Sequence, residues 1–446
     1  MNEYVITAQR VSERRLEYTW TPNPFPGAPN LMWVEYPFDV ARIKGHDVLY
    51  PVLPLFLALG FADTRFHLVS QAPDQSAAND QDSVFQQVLA NWLDIVESEA
   101  AENFGKRIHV EADINGQMVG RGAVGGIPTQ PPLLGTETAL FLGGGAESLL
   151  ALAKLTEQNI KPHLISYLGP GWIGSDPAKN ENKLAQDRMV ARELGLDLHH
   201  VHSNLYGLFA QMQNALSERT IVDVFFVNCV AFTPILVSLV APMTGVCGFG
   251  TVYHGHEKHF EPDLSFHCFT KSFTDKLAWC FSPKFAYRHI LWDLLKVDVF
   301  EQLCTKHAGL LKYQYSCYNN EHERWCLNCE KCFRYYILFK LYDAPFDVLG
   351  FDEARMLRNF ARIHTEIASH IWSDTCSQAA YGGILAKTRA RGKKDVYDFL
   401  LNLIREAKRI ERKKKAQALI RPFVPKPVRR LVKRLLPAAP QGTAHA

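Results

Sequence analysis

The chain has 446 residues, of which 47% are hydrophobic and 21% charged. This supplies enough apolar material for a substantial core, suits two or three domains, and excludes wholesale disorder. The net charge of +3 hides an asymmetry: Arg405–Arg434 carries +11, leaving the rest at −8, so the mildly acidic body gives no reason to expect a specific nucleic-acid partner.

The first ten residues, Met1–Arg10, lack a basic region followed by an apolar stretch, so no secretory signal is read and a cytoplasmic location is expected. Residues 1–132 read as a mixed α+β domain. Within it, the proline-rich Thr21–Pro29 is a loop and Val48–Ala62 a short apolar helix or pair of strands. Ser83–Glu99 has the apolar spacing of a helix, and the alternation over Arg107–Ile114 indicates a strand. Nothing in this segment carries recognisable chemistry.

Pro131-Pro132 marks a boundary, after which strands and helices alternate. Strands are expected at Thr138–Leu142, His163–Leu168, Leu198–His202 and Gly245–Tyr253, and helices at Ser148–Asn159, Asn180–Leu194 and Val222–Val240. The fold class is therefore α/β: a Rossmann-like parallel sheet with helices on both faces, which places ligands at the carboxyl ends of the strands. The longest apolar stretch, Ile221–Pro242, includes Asp223, Asn228, Thr233, Pro234 and Ser238 and is read as a core helix rather than a membrane span.

At the end of the first of these strands stand Gly143, Gly144 and Gly145, followed by a helix opening with Glu147 and Ser148. Glycines let successive amides converge on an anion, and a helix start adds its N–H groups and positive dipole end. The turn therefore reads as a phosphate site. It lacks both the Walker lysine pattern and the G-x-G-x-x-G spacing of dinucleotide folds. The plain alternative is a glycine-rich turn without a ligand.

After the fourth strand come His254, His256, Glu257, Lys258 and His259, with ligands enough for a metal and bases enough for proton transfer, or else a solvated loop. His267 and Lys271 follow, as acid and base candidates or carboxylate and phosphate binders, or as the start of a surface helix.

Cys317, Cys326, Cys329 and Cys332 form C-x8-C-x2-C-x2-C. Four thiolates at such spacing can close a tetrahedron around Zn²⁺, leaving no open position, so the metal would be structural. Dithiol chemistry at Cys326 and Cys329, or iron–sulfur ligation, are the competing readings. Residues 346–415 read as a helical C-terminal region and 416–446 as a basic tail. In that tail Val428–Leu436 is amphipathic: a solvated segment, or one suited to peripheral contact with the anionic inner face of a membrane.

These motifs resemble a known superfamily. The glycine turn is similar to the S-G-G-x-D-S loop of PP-loop ATP pyrophosphatases, with Gly143 in place of the serine and Glu147 in place of the aspartate. The cysteine loop resembles that of cyano-deazaguanine synthases. Arg324-Trp325-Cys326 through Cys329, Lys331, Cys332 and Phe333 is still more similar to MurL-type UDP-MurNAc-L-Ala-L-Glu epimerases. The patch His267–Phe273, the pair Glu257 and Lys258, and Asn228 also match, and the resemblance spans about Leu133 to Leu341. Ala146 stands where MurL-type loops usually carry lysine.

The resemblance implies a PP-loop nucleotide-binding domain over residues 133–345 with ATP and Mg²⁺ held by Gly143, Gly144, Gly145, Glu147 and Ser148. It implies structural Zn²⁺ on the four cysteines and catalysis involving His267, Lys271 and Glu257. The expected partner is a small-molecule carboxylate or nucleotide-sugar peptide, epimerised with release of AMP and diphosphate in cell-envelope precursor synthesis. Nitrogen transfer to a sugar or nucleobase, and nucleotide binding without catalysis, are the alternatives.

Overall fold

Alternating apolar residues bury Tyr4, Ile6 and Ala8 along Asn2–Arg10, which makes this segment a half-buried strand, β1. The same period in Arg15–Thr21 (β2) buries Leu16, Tyr18 and Trp20, and in Leu31–Glu35 (β3) Met32 and Val34. The structure is a computed structural model that describes residues 1–25, 27–60, 62–71, 79–104, 107–120, 135–169, 177–217, 232–258, 271–315, 317, 324–373 and 375–420. Within these it divides into two compact units, Met1–Leu295 and Lys296–Ala446.

The first unit is built on one mixed sheet of eleven strands. After β3 these are Thr64–Ser70 (β4), Val110–Ile114 (β5), Gln117–Met118 (β6), Glu137–Phe141 (β7), His163–Leu168 (β8), Leu198–Ser203 (β9), Phe249–Lys258 (β10) and Ala286–Leu295 (β11). Their order is β11-β10-β7-β8-β9-β3-β2-β1-β4-β5-β6. The five strands from β7 to β11 run parallel to one another. Counted along the chain, their spatial order is 3-2-1-4-5, which reverses direction at β7. Such a reversal opens a crevice at the carboxyl ends of the two strands flanking it, here β7 and β10.

The helices of this unit are Leu53–Leu59 (α1), Asn79–Phe104 (α2), Ala146–Glu157 (α3), Pro177–Leu194 (α4), Leu205–Ser217 (α5), Phe232–Cys247 (α6) and Lys271–Phe281 (α7). The βα alternation expected from residue 138 onward is present. A strand was expected from Gly245, but α6 continues to Cys247 and β10 begins at Phe249. The terminator is Gly248, whose φ of +75° gives the left-handed helix end and whose N–H returns to the Thr244 carbonyl.

Strands β1–β6 are joined to the parallel strands through the sheet itself. β3 pairs antiparallel with β9, Val34 opposite Ser203 and Glu35 opposite His202. Asn204 secures the seam: its side-chain oxygen accepts from Trp33 N–H at 2.8 Å and its amide donates to the Leu31 carbonyl at 3.0 Å. The division between compact units falls at 295/296; the boundaries expected from the sequence are at 132, 345 and 415. Deep in this unit Lys284 and Asp47 form an ion pair at 2.5 Å, both shielded from solvent. Burial, opposed by Lys284, raises the Asp47 carboxyl to about 6.

The second unit is helical: Lys296–Lys306 (α8), Glu330–Leu341 (α9), Phe346–Leu349 (α10), Glu353–Ser373 (α11), Thr375–Ala390 (α12) and Lys394–Ile420 (α13). Its core gathers Trp325, Tyr335, Phe339 and Phe351. No helix among the described residues is long and apolar enough to cross a membrane. The tail beyond 420, including the amphipathic Val428–Leu436, lies outside the described residues.

Candidate functional site

The glycine turn lies at the carboxyl end of β7, at the reversal in strand order. Leu142 N–H donates to the Ile165 carbonyl at 2.8 Å, anchoring the entry to the turn. Gly143 is exposed, while Gly144 has φ of +74°, a conformation a side chain would strain. Gly145 is the N-cap of α3 and makes no side-chain cap hydrogen bond. A helix start without a capping side chain presents its backbone to an anion. Ser148 donates its hydroxyl to the Gly145 carbonyl at 3.1 Å, which braces this turn from within.

β10 approaches the same helix start. A Cβ on Gly255 would lie 2.7 Å from the Glu147 carbonyl oxygen and 3.0 Å from the Ser148 Cα, so only glycine permits this contact. Glu257, two residues further, is buried at 2% exposure. Lys258 ends the strand and Lys271 opens α7, and the side chains of both, together with all of His259, His267 and Asn228, lie outside the described residues. Of the three residues expected to handle protons, only Glu257 therefore has a described side chain.

A buried polar cluster beside the turn was not anticipated. Lys183 and Asp187, one turn apart on α4, form an ion pair at 2.9 Å. The Lys183 ammonium also donates to Ser166 Oγ at 2.8 Å and to the Leu142 carbonyl at 3.5 Å, next to Gly143. Ser166 Oγ donates to Asp187 at 2.5 Å, and His200 of β9 stands 3.8 Å from the same carboxylate. The signal was an i, i+4 Lys–Asp pair on a helix that otherwise reads as solvated, and only the fold reveals that this face is buried.

Beyond Tyr253 in the sequence, His254 and His256 gather with His289 of β11. His254 Nδ1 and the Tyr287 hydroxyl are hydrogen-bonded at 2.9 Å. Burial lowers the His254 imidazole to about 4 against the opposing charge of Glu257, and burial followed by His254 lowers His289 well below the ordinary histidine value.

In the second unit the four cysteines meet. Cys317 and Cys329 sulfurs are 4.0 Å apart, Cys326 and Cys332 sulfurs 3.8 Å, and all four lie within 4.8 Å of one another. A tetrahedron with Zn–S bonds of about 2.3 Å has edges of about 3.8 Å, so the donor set and its dimensions suit zinc. Backbone N–H groups of Cys326, Asn328 and Cys332 donate to the sulfurs of Cys317, Cys326 and Cys329 at 3.3–3.5 Å, the outer shell that steadies thiolates. Hydrogen bonding to Cys317, Cys326 and Cys329, then burial, holds the Cys332 thiol well above its usual value.

The neighbours of the cysteines have structural tasks. Arg324 donates to the Leu311 and Gln314 carbonyls, and Trp325 donates to the Leu349 carbonyl at 2.9 Å while filling the aromatic core. Asn359 donates to the Leu327 carbonyl and Arg362 to the Asn328 side chain, tying the cysteine loop to α11. Comparison with protein-family models, with curated proteins and with solved structures found no match to this chain.

Proposed function

We propose that this chain is an ATP-dependent, AMP-forming enzyme of the PP-loop type that activates a carboxylate. The observation that carries the reading is the uncapped glycine turn at the carboxyl end of β7, facing the end of β10 where the strand order reverses. In this reading the amides of Gly143, Gly144 and Gly145 and the start of α3 receive the diphosphate. Glu147 holds Mg²⁺ with waters in its shell, a role that suits a carboxylate. The zinc loop is structural and fixes the fold of the second unit.

The most specific form of the proposal, supported by the motif resemblance, is epimerisation of the terminal L-glutamate of UDP-MurNAc-L-Ala-L-Glu. The substrate α-carboxylate attacks the α-phosphorus of ATP, and diphosphate departs into the glycine turn. Turning the carboxylate into an acyl adenylate removes the charge that opposes carbanion formation, so the adjacent Cα–H becomes more acidic. One group of the set Glu257, His267 and Lys271 removes that proton and another returns one from the opposite face. Hydrolysis then releases AMP and the inverted product.

The test is isotopic. In D₂O with ATP and Mg²⁺, the glutamyl Cα gains deuterium in the inverted product. Deuterium-free substrate recovered with ATP consumed would refute epimerisation while leaving carboxylate activation standing.

A second reading, nucleotide binding without turnover, is favoured by Ala146, which is fully buried where a lysine would be expected to meet phosphate. Under that reading ATP binds and is recovered unchanged in the presence of glutamyl peptides.

A further inference from the structure

In a β-strand, residues i and i+2 share a face, and a residue on the neighbouring strand directly opposite in register joins them. His254 and His256 stand in the first relation on β10, and His254 faces His289 of β11 in the second. A bulge between His254 and Glu257 adds one residue to β10 relative to β11, and bulges commonly re-aim side chains at sites. The three ring centres are 4.8, 5.5 and 5.7 Å apart.

We propose that His254, His256 and His289 form a second metal site, distinct from the cysteine loop, for a borderline divalent transition ion of the Zn²⁺ class. One nitrogen from each ring lies within 4.8 Å of the others. A point equidistant from three atoms at that spacing is about 2.8 Å from each, so movements of about 0.7 Å per ring reach the Zn–N distance of about 2.0–2.1 Å. The Tyr287 hydroxyl, bonded to His254 Nδ1, orients that ring and leaves Nε2 for the ion.

His289 supplies the second observation. Both of its ring nitrogens are sealed from solvent and have no hydrogen-bond partner among the described residues. Buried polar atoms are ordinarily satisfied, and a coordinated ion is one way to satisfy an imidazole. Three nitrogen ligands leave a fourth position open, as in catalytic rather than structural zinc sites. The site sits at the carboxyl end of β10, beside the crevice assigned above to the nucleotide, yet its existence does not depend on that assignment.

The experiment is Co²⁺ titration of the metal-free full chain. Two equivalents should bind: one with intense thiolate-to-cobalt charge-transfer bands, the other with only the weaker d–d absorption of a nitrogen and oxygen site. His289→Ala and His289→Asn should each reduce the total to one equivalent and keep the thiolate bands. Cys326→Ser with Cys329→Ser should do the reverse, and Tyr287→Phe should weaken the second site about 10-fold. A single equivalent in the wild type, or two in both His289 variants, would overturn the proposal. So would X-ray absorption on the wild type showing an all-sulfur shell for both ions, a result independent of how any variant folds.

Discussion

Gly255 of β10 is pressed against the carbonyl of Glu147 at the start of α3, so closely that an added Cβ would sit 2.7 Å from that oxygen. The contact sets the spacing between the glycine turn and the end of β10, the two sides of the crevice at the strand-order reversal. Gly255→Ala should push them apart at a cost of about 1–3 kcal/mol and weaken ATP binding. Gly207→Ala on α5 is the control, because a Cβ there meets nothing within 4 Å and neither the fold nor ATP binding should suffer. Urea unfolding and calorimetric binding of a non-hydrolysable ATP analogue would read both.

Lys183 and Asp187 are a buried pair, and removing the lysine takes away the cation that faces a buried carboxylate. Lys183→Met should destabilise the first unit by about 3–5 kcal/mol, whereas Lys183→Met with Asp187→Leu should recover much of the loss. Because Lys183 reaches the Leu142 carbonyl, the double variant should also loosen the glycine turn. Hydrogen exchange of the Gly143–Gly145 amides would detect this as faster exchange in a protein of near-normal stability.

Asp47 gives the stability a pH dependence. Burial, opposed by Lys284, raises its carboxyl to about 6, above the ordinary aspartate range, so the folded chain holds this proton to higher pH than the unfolded chain does. The contribution is fully present below about pH 4 and lost as pH rises through about 6, at most about 3 kcal/mol. Denaturant midpoints from pH 4 to 7 should show this decline in the wild type. The double variant Asp47→Leu with Lys284→Met should lack it.

The alternation from residue 138 and the cysteine spacing were legible because both are local: a strand, a glycine turn and a C-x2-C repeat are written in adjacent residues. The same period-2 signal was present in Asn2–Arg10 and Arg15–Thr21, but short strands near a chain end give no indication of their partners, and the β3–β9 seam depends on Asn204 meeting residues about 170 positions away. His289 was illegible for the same reason. Nothing in Arg288-His289-Ile290 signals a site until the register sets it opposite His254. Nothing in the sequence marks Lys183 and Asp187 as buried, because α4 is polar over most of its length.

The cysteine loop makes its own prediction. Cys332→Ser should remove one equivalent of zinc and chelation every equivalent, and either should lower the melting temperature of the helical unit, since Cys332 and its backbone N–H belong to the same turn that starts α9. Elemental analysis alongside differential scanning calorimetry would show it. Zinc unchanged in Cys332→Ser would contradict a four-cysteine site.

The claim that most depends on the glycine turn is how ATP is cut. Mass spectrometry of nucleotides after incubation with Mg²⁺, ATP and UDP-MurNAc-L-Ala-L-Glu should show AMP and diphosphate in equal amounts, formed only when the peptide is present. ADP and phosphate as the products would contradict a PP-loop enzyme.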